Sequence, residues 1–334
     1  VTNNSDYGIY LEDANNNTLY NNYFDNTNNA YDDGTNTWNT DKTEGTNIIG
    51  GTYLGGNYWS DYAGVDTDGD GLGNTLVPYA EGIPNCGDYL PLATDSVCNL
   101  NTGEGFSTIQ AAIDDADTQD GDTIMVGAGT YHENVVVNKQ LTIESASGNP
   151  ADTIVSAANP DEPVFKVTAD WVSITGLTVE DATGKEAAGV YLHAAGHCNL
   201  TNNSLTNNCF GIYLYSSSNN MLTGNSACNN TGAGIVLSDA YENMLTNNEV
   251  DNNPFGIYVY CSSNNTLTGN TAWSSTGAGI ILNEAYGSII TNNEVDNNPF
   301  GIRVYSSGNN ILTDNTVTNN SDYGIYLEDA NNNT

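Results

Sequence analysis

Three aspartates at alternate positions make up the segment of this sequence best suited to chemistry. Asp66, Asp68 and Asp70 lie in the run DTDGDGLGN, and a glycine follows the third of them. Carboxylates at the first, third and fifth positions of a loop, with glycine at the sixth, can wrap around Ca²⁺, which binds several oxygen ligands. The spacing therefore predicts a calcium loop with Ca²⁺ as its cofactor, and a solvated acidic turn is the alternative.

Spacing alone leaves some ligands of this loop open. Leu72 stands where a backbone carbonyl would bind the ion, and Asn74 stands two positions later. Val77 occupies the position at which an EF-hand requires glutamate, so the loop resembles a thrombospondin-repeat or dockerin-type loop instead. We expect the missing ligand to come from elsewhere in the chain. The candidates are Asp61, Glu81 and Asp88, and the predicted site includes Asp88.

A short sequence repeat is visible from residue 189 onward, and it indicates the fold of the chain that carries these residues. Glycines recur at intervals of 22 or 23 residues, which is too short for a pair of packed helices. They are Gly189, Gly211, Gly234, Gly256, Gly279, Gly301 and Gly324. The first and third positions after each glycine are aliphatic in every repeat, and the residues between them are mostly polar or aromatic. This alternation indicates a β-strand with one buried face.

Three further columns recur within the same repeat. Two are largely aliphatic and begin at Leu200 and Leu205, and the third is asparagine in seven successive repeats. Its members are Asn203, Asn225, Asn248, Asn270, Asn293, Asn315 and Asn22. The residue before each of them is Asn, Gly or Asp, types that tolerate a positive φ angle in a turn. Stacked coils would bury the aliphatic columns as one core and let the amides form a ladder.

The first and last eighteen residues of the chain are identical, and both read VTNNSDYGIYLEDANNNT. This identity indicates a tandem array with a period of 316 residues, with one local duplication as the alternative. In such an array, residues 98–334 form a module that starts with a capping helix. Residues 1–97 then form the last rungs, the aromatic and calcium-loop cap, and the connector of the preceding copy.

The caps of the module are expected where the repeat is interrupted. Ile109, Ala112 and Ile113 have helical spacing, and Ser107 or Thr108 could cap that helix. Tyr58, Trp59 and Tyr62 would plug the other end, and Cys86 and Cys98 would form a disulfide in the connector. The predicted fold is all-β: a right-handed parallel β-helix with 22/23-residue rungs, a short N-terminal capping helix and a calcium-loop C-terminal cap.

The composition restricts the partners of the chain. Forty-one acidic residues face five basic ones, a net charge of −36, which excludes nucleic acid and disfavours anionic membranes. No apolar run is long enough to insert into a membrane. Six cysteines and several Asn-x-Ser/Thr acceptors suit an exported chain. The glycosylation candidates are Asn3, Asn16, Asn199, Asn202, Asn229 and Asn264.

An aromatic stripe is expected on the outer face of the repeats. Its members are Tyr191, Tyr213, Tyr215, Tyr258, Tyr260 and Tyr305. Exposed aromatic stripes mark surfaces for partners or sugars. The stripe predicts a contact between subunits of a fibre, binding of surface glycans, or no role beyond covering a sheet.

Catalytic arrangements are weakly represented. Arg303 is the one basic residue on the regular repeats, and Glu328 is the carboxylate nearest to it in the stacked columns. The outward column that contains Asp251 and Asp296 is interrupted by other residue types. The three histidines lack a plausible nucleophile, and a metal site at His197 and its neighbouring cysteine is only a weak signal. We therefore do not expect an enzyme.

Several longer segments resemble a known group of proteins. GTYHENVVVNKQLTI at 129–143, GIYLYSSSNNMLTGN at 211–225, and GNYWSDY, DTDGDGLGN and DYLPL within 56–92 are similar to archaeal surface proteins with NosD-like parallel β-helix repeats. The resemblance implies the fold and a location at the cell surface. It implies no single activity, because the group includes lyases, hydrolases and structural proteins. The predicted function is a structural or adhesive subunit of an extracellular fibre, with a carbohydrate-binding or carbohydrate-cleaving protein as the alternative.

Overall fold

The computed structural model describes residues 1–62, 70–73, 76–93 and 97–334. It divides the chain into two compact units. Unit 1 comprises residues 1–98 and 103–107, and unit 2 comprises residues 99–102 and 108–334.

The strands up to residue 106 are short. In chain order they are β1 (Ile9–Leu11), β2 (Tyr23–Phe24), β3 (Ala30–Asp32), β4 (Thr43–Glu44), β5 (Tyr53–Leu54), β6 (Tyr58–Trp59), β7 (Val97–Asn99) and β8 (Glu104–Phe106). Within unit 1, β1 pairs in parallel with β3, β2 pairs in parallel with β6, and β4 pairs with β5 in the antiparallel sense.

From residue 109 onward the chain is one helical turn followed by regular strands. The elements are α1 (Ile109–Asp114), β9 (Thr123–Val126), β10 (Gly129–His132), β11 (Val135–Val137), β12 (Thr142–Ser145), a 3-10 helix (Pro150–Asp152), β13 (Thr153–Ser156), β14 (Phe165–Val167), β15 (Ser173–Thr175), β16 (Thr178–Glu180), β17 (Ala188–His193), β18 (Asn199–Thr201), β19 (Ser204–Thr206), β20 (Phe210–Tyr215), β21 (Met221–Thr223) and β22 (Ser226–Cys228). They continue with β23 (Ala233–Ser238), β24 (Met244–Thr246), β25 (Glu249–Asp251), β26 (Phe255–Tyr260), β27 (Thr266–Thr268), β28 (Thr271–Trp273), β29 (Ala278–Asn283), β30 (Ile289–Thr291), β31 (Glu294–Asp296), β32 (Phe300–Tyr305), β33 (Ile311–Thr313), β34 (Thr316–Thr318) and β35 (Tyr323–Glu328).

Each strand of unit 2 pairs in parallel with the strand three places further along the chain. The unit is therefore a solenoid with three sheet faces. One face runs from β10 through β13 to β34, the second from β11 through β14 to β35, and the third from β9 through β12 to β33. The predicted right-handed parallel β-helix is confirmed. Each rung takes one strand from each face, which explains the repeat of 22 or 23 residues.

The inward columns of the rungs form the core, as predicted from their alternation. Ile212, Leu214, Leu222 and Ala227 of one rung are all fully buried, and their counterparts in the neighbouring rungs are equally buried. Parallel strands place identical positions above one another, so each column packs against itself along the solenoid.

The last rung departs from this pattern. Ile325 and Leu327 belong to the inward columns, yet they are 48% and 49% exposed. β35 pairs with β32 on one side, and within the described residues of unit 2 no further rung covers its other side. These inward side chains therefore have packing neighbours on one side only, because an inward side chain is buried when rungs lie both above and below it.

Helix α1 packs against β9 and β11 through Ile109, Ala112 and Ile113, all fully buried. The Thr108 hydroxyl accepts a hydrogen bond from the Ala111 N–H at 3.1 Å, which confirms one of the two predicted caps. Lys139 Nζ donates to the Ile113 carbonyl at 2.7 Å near the other end. Satisfied ends allow so short a helix to persist against the sheet edge.

The asparagine column forms the predicted ladder. The residue before each member has a positive φ, from 52° at Asn202 to 67° at Gly269. Asn248 shows the repeated contacts: its N–H and Nδ2 both donate to Oδ1 of Asn270, at 3.0 and 2.9 Å, and Nδ2 also donates to the Leu222 carbonyl at 2.9 Å. Each amide thus satisfies backbone groups that the turn removes from the sheets.

Two more ladders exist that sequence reasoning missed. The second runs through Asn208, Asn230, Asn253, Ser275, Asn298 and Asn320. The third runs through Asn220, Asn243, Asn265, Ser288, Asn310 and Asn333. The signal was available, because most members of both columns follow a residue that prefers a positive φ, as Asn219 and Asn264 do at 61° and 58°.

Ser275 interrupts the second ladder. Its side-chain oxygen is buried without a hydrogen-bond partner, and among the described residues the Asn253 amide donates to the Ala227 carbonyl but not to residue 275. Replacing Ser275 with asparagine should restore the missing acceptor and raise the free energy of unfolding by about 1 kcal/mol. Urea denaturation would measure the change. Ser288→Asn is the matched control, because the Ser288 hydroxyl already accepts from the Asn265 N–H at 3.2 Å and should gain less.

Candidate functional site

The core of unit 1 is aromatic. Phe24, Trp38 and Trp59 are almost fully buried, and the ring centroids of Phe24 and Trp59 lie 4.7 Å apart. The Trp59 ring also stacks on Tyr79 at 4.3 Å. Trp59 therefore fills the core of unit 1, and Tyr58 stacks on Tyr23 at 4.4 Å beside it. That Tyr58, Trp59 and Tyr62 plug the end of a module stays a prediction.

A buried carboxylate lies at the centre of this unit. Asp88 is fully buried, and its Oδ2 accepts hydrogen bonds from Asn57 N–H at 2.7 Å and from Trp59 Nε1 at 2.9 Å. Its Oδ1 accepts from the Leu90 N–H at 3.1 Å, and Gly56 packs so closely that a Cβ there would lie 1.8 Å from the same oxygen. Burial raises the pKa of Asp88 to about 6, although these donors act to lower it. Backbone and side-chain donors of unit 1 thus already occupy both oxygens of Asp88, and its role as a calcium ligand stays a prediction.

Asp88 is instead the end of an asparagine ladder. Asn22 donates its N–H and Nδ2 to Oδ1 of Asn57, at 3.1 and 2.9 Å, and Asn57 donates to Asp88. A ladder of this kind has a direction, since each member donates to the next. Its last member therefore needs a partner that accepts without donating, and an ionised carboxylate meets that need.

Two other short ladders in unit 1 end in the same way. Asn17 donates to Asn36 Oδ1 at 2.8 Å, and Asn36 Nδ2 donates to Asp32 Oδ1 at 2.9 Å. In the other ladder, Asn4 donates to Asn26, Asn26 to Asn29, and Asn29 Nδ2 to Asp61 Oδ1 at 2.7 Å. All three carboxylates thus terminate ladders, including Asp61, which spacing had offered as a calcium ligand.

Asp32 shows how strongly such a terminal carboxylate is held. It is fully buried and accepts hydrogen bonds from Trp38 Nε1 at 2.9 Å and from the Cys86 thiol at 3.1 Å. Burial acts to raise the pKa of Asp32, but the hydrogen bonds from Trp38, Cys86 and the neighbouring amides outweigh it and hold the pKa below its usual value.

The disulfide predicted between Cys86 and Cys98 is not formed. Cys86 is a free thiol whose sulfur contacts Asp32, and burial raises its pKa. A protonated thiol can donate to the Asp32 carboxylate, whereas a disulfide sulfur cannot. The position therefore has a polar role that loop length alone did not reveal.

The predicted calcium loop is described only in part, because Asp66, Asp68 and Asn74 lie outside the described residues. Asp70 Oδ1 accepts from the Leu72 N–H at 2.8 Å, and its Oδ2 contacts Lys42 Nζ. Leu72 is 1% exposed and forms an isolated antiparallel bridge with Leu92. Leu72 thus anchors this end of the loop in the core of unit 1. Asp70 accepts a hydrogen bond from the backbone of the loop itself.

A cavity of about 580 Å³ opens in unit 1. Tyr7, Tyr31, Tyr62 and Tyr79 contribute aromatic rings to its lining, and Asp61 and Glu81 contribute carboxylates. The Tyr79 hydroxyl donates to Asp61 at 2.9 Å. Burial and this carboxylate raise the pKa of Tyr79, so the phenol stays protonated and keeps Asp61 oriented. Aromatic faces combined with fixed carboxylate and amide groups can bind hydroxylated ligands.

The predicted aromatic stripe lies on the outer face of unit 2, but small aliphatic residues divide it. Tyr191, Tyr213 and Tyr215 form one group, with the first two rings 5.2 Å apart. Val236 and Ile281 are nearly buried and flank a second group, Tyr258 and Tyr260, whose rings are 6.1 Å apart. Burial raises the pKa of Tyr213. Tyr260 is exposed and the other five tyrosines of the stripe are half-buried, so a role in binding stays a prediction.

Tyr305 belongs to a third group around Arg303. The guanidinium of Arg303 lies 5.9 Å from the centroid of Tyr305 and donates to Glu328 at 3.4 Å. The expected proximity of Arg303 and Glu328 is therefore observed. The histidines lie apart from this group: the His193 ring contacts Tyr191 and Tyr215, and the His197 ring stacks on Trp171 at 4.2 Å.

The six glycosylation candidates are all exposed. Asn3, Asn16, Asn202, Asn229 and Asn264 have positive φ angles between 52° and 60° in the turns, whereas Asn199 lies in β18. Exposure at turns is compatible with modification, which stays a prediction. No helix in the described residues is long and apolar enough to cross a membrane.

Two family models match parts of the chain. The model described as "Right handed beta helix region" matches residues 188–334, and the one described as "Periplasmic copper-binding protein (NosD)" matches residues 1–64. A cell surface glycoprotein of Methanothermus fervidus is 39% identical over 111 residues, which are 33% of this chain and 17% of that protein. The chain thus corresponds to a small part of its relative.

Solved structures support the fold. The A-module of the Azotobacter vinelandii mannuronan C-5 epimerase AlgE6 has a TM-score of 0.54 at 15% identity, covering 66% of this chain and 74% of that one. The A-module of AlgE4 from the same organism has a TM-score of 0.52 at 17% identity, with 66% and 76% covered. Pectate lyase Pel9A has a TM-score of 0.50 at 15% identity, with 66% and 74% covered. At such identities the likeness concerns the fold alone.

Proposed function

We propose that this chain is a structural part of a cell surface, built from tandem 316-residue β-helix modules that form an extracellular fibre stabilised by calcium. The surface glycoprotein of Methanothermus fervidus supports the location. The identical segments 1–18 and 317–334 support the tandem arrangement. Neither supports an enzymatic role.

The observation that carries the proposal is how the buried polar groups are used. The buried asparagines of the rungs, such as Asn225, Asn248 and Asn270, donate to the next member of a ladder and to a backbone carbonyl. Because these polar side chains are hydrogen-bonded from rung to rung, the rungs can form a long and regular stack. That is the property required of a fibre.

Electron microscopy tests this function. Antibodies raised against the chain should label thin filaments on intact cells of the source organism, and the native protein should have several times the 35.4 kDa mass of this chain. Intracellular labelling, or a native mass of one unit without filaments, would contradict the proposal.

Calcium binding at the acidic loop is supported by the spacing of its carboxylates. Asp66 and Asp68 precede Asp70 by four and two positions, and carboxylates so close in the sequence would repel one another. Lys42 contacts the Asp70 carboxylate and balances one of the three charges. A divalent cation bound between them would relieve that repulsion.

Chelation should therefore lower the stability of unit 1. At a calcium concentration ten times Kd, binding adds about 1.4 kcal/mol to the folded state, and EDTA should remove it as a fall in melting temperature. Asp68→Ala should melt at the same temperature with and without chelator. The exposed Asp120 offers the control, since Asp120→Ala should retain the full calcium response. Melting curves of the unchanged chain that coincide in calcium and in EDTA would rule the site out.

The cavity of unit 1 favours carbohydrate binding as a second candidate function. Its tyrosines and the oriented Asp61 suit a neutral sugar, and the net charge of −36 disfavours an acidic one. Calorimetry with a neutral hexasaccharide such as maltohexaose should show binding that Tyr31→Ala weakens. Absence of heat with neutral oligosaccharides at millimolar concentration would exclude this candidate.

A further inference from the structure

The two identical segments adopt the same backbone conformation in different surroundings. Asn3, Asp13 and Asn16 have φ angles of 57°, 53° and 60°, and the corresponding residues Asn319, Asp329 and Asn332 have 50°, 49° and 55°. Both copies therefore fold as the same piece of rung, one in unit 1 and the other in unit 2.

The copy at 317–334 is bonded to the rung before it. Asn298 donates its N–H to Asn320 Oδ1 at 3.0 Å, and Asn310 donates to Asn333 Oδ1 at 2.9 Å. On the other side, the core side chains Ile325 and Leu327 are about half exposed. In this copy, Oδ1 of Asn320 and Oδ1 of Asn333 accept hydrogen bonds from the preceding rung.

The copy at 1–18 is bonded to the rung after it. Asn4, the counterpart of Asn320, donates its N–H to Asn26 Oδ1 at 2.9 Å. Asn17, the counterpart of Asn333, donates to Asn36 Oδ1 at 2.8 Å. In the same copy β1 pairs with β3, with Ile9 opposite Ala30. In this copy, the N–H groups of Asn4 and Asn17 donate hydrogen bonds to the following rung.

The two sets of contacts are complementary halves of one rung. Ile9 and Leu11, the counterparts of the exposed Ile325 and Leu327, pack against the aromatic core that contains Phe24 and Trp38. Joined through the shared segment, the second and third ladders of unit 2 would continue through Asn26 and Asn36. They would then end at Asp61 and Asp32.

We infer that the uncovered face of the last rung, formed by β34, β35 and residues 329–334, is a docking face for the segment 19–38 of a following repeat. The first rung contact would pair Ile325 with Ala30 and Leu327 with Asp32, as β1 and β3 pair in unit 1. The inference rests on the tandem arrangement proposed above and specifies its junction.

Hydrogen exchange on an extended chain tests the junction. The full chain of 334 residues would be compared with the same chain continued after Thr334 by a second copy of residues 19–98. Docking should slow amide exchange in residues 323–328 at least tenfold. Exchange that is equally fast in both chains, with the added segment either folded or unfolded, would overturn the inference.

A substitution on the face gives an independent readout. Leu327→Asp should change the stability of the starting chain little, because Leu327 is half exposed there. In the extended chain the same substitution should bury a charge and restore fast exchange in residues 323–328. Equal effects in both chains would contradict docking. These results do not depend on location, so filaments without protection, or protection without filaments, would separate this inference from the proposed function.

Discussion

Replacing Asn248 with alanine is expected to lower the free energy of unfolding of the solenoid by about 3–5 kcal/mol. Asn248 is 1% exposed. The substitution removes the acceptor of the Asn225 N–H and Nδ2, both at 3.0 Å, and the donor to the Leu222 carbonyl at 2.9 Å. Each buried group left without a partner costs about 1–3 kcal/mol.

Urea denaturation followed by circular dichroism measures this loss, and hydrogen exchange shows where it acts. Exchange should accelerate first in β21, β24 and β27, because a rung contacts only its neighbours. Glu249→Ala is the matched control, since Glu249 is exposed in the adjoining strand and should change stability by less than about 0.5 kcal/mol. A loss below 1 kcal/mol for Asn248→Ala would show that the ladder is not a major source of stability.

Replacing Asp88 with asparagine is expected to destabilise unit 1 by about 2–4 kcal/mol near neutral pH. The side chains have nearly the same shape, but the new amide must direct its two hydrogens at existing donors. Those donors are the Leu90 N–H on one side and the Asn57 N–H and Trp59 Nε1 on the other. A ladder that ends in another donor is left without its terminal acceptor.

The pH dependence gives this prediction a distinct signature. The pKa of Asp88 is about 6 in the folded state and 3.8 in the reference state. The raised folded pKa contributes stability that is fully present below pH 4 and is lost as the pH rises through 6. The loss is on the order of 3 kcal/mol at 1.36 kcal/mol per pKa unit. Asp88→Asn should lack this part of the pH profile, while the opposite contribution of Asp32 remains in both proteins.

Tryptophan fluorescence can follow unit 1 during this titration. Trp38 and Trp59 are buried there, whereas Trp171 and Trp273 of unit 2 are 58% and 40% exposed. Asp25→Asn is the control, because Asp25 is exposed and its substitution should change the stability of unit 1 little. If the stabilities of the Asp88→Asn variant and the unchanged chain differ by the same amount at pH 4 and pH 7, the assigned titration is wrong.

The sequence predicts those parts of the fold that depend on periodicity. The inward aliphatic columns, the turn with a positive φ and the ladder through Asn203 and Asn248 all repeat, so a position's environment can be inferred from its neighbours in the repeat. The cap at Thr108 follows a local rule. These features need no knowledge of which distant segments meet.

The candidate site depends on such distant contacts, and there the sequence was less informative. Asp88 lies 31 residues from Asn57, and Cys86 lies 54 residues from Asp32. An aspartate near an acidic loop suggests a metal ligand, and a cysteine in a connector suggests a disulfide. The structure shows both facing hydrogen-bond donors or acceptors that nothing in their local sequence marks.

The stacking of one rung on the next has a mechanical consequence. The hydrogen bonds between rungs run along the solenoid axis, so tension applied along that axis would load them directly. A rung occupies about 4.8 Å of the stack, yet its 22 residues would span about 75 Å when pulled straight. Because each rung contacts only its neighbours, a stretched solenoid would unfold one rung at a time. Each unfolded rung would lengthen about fifteenfold before its covalent backbone was under tension. The solenoid would therefore absorb mechanical work by unfolding before any covalent bond broke.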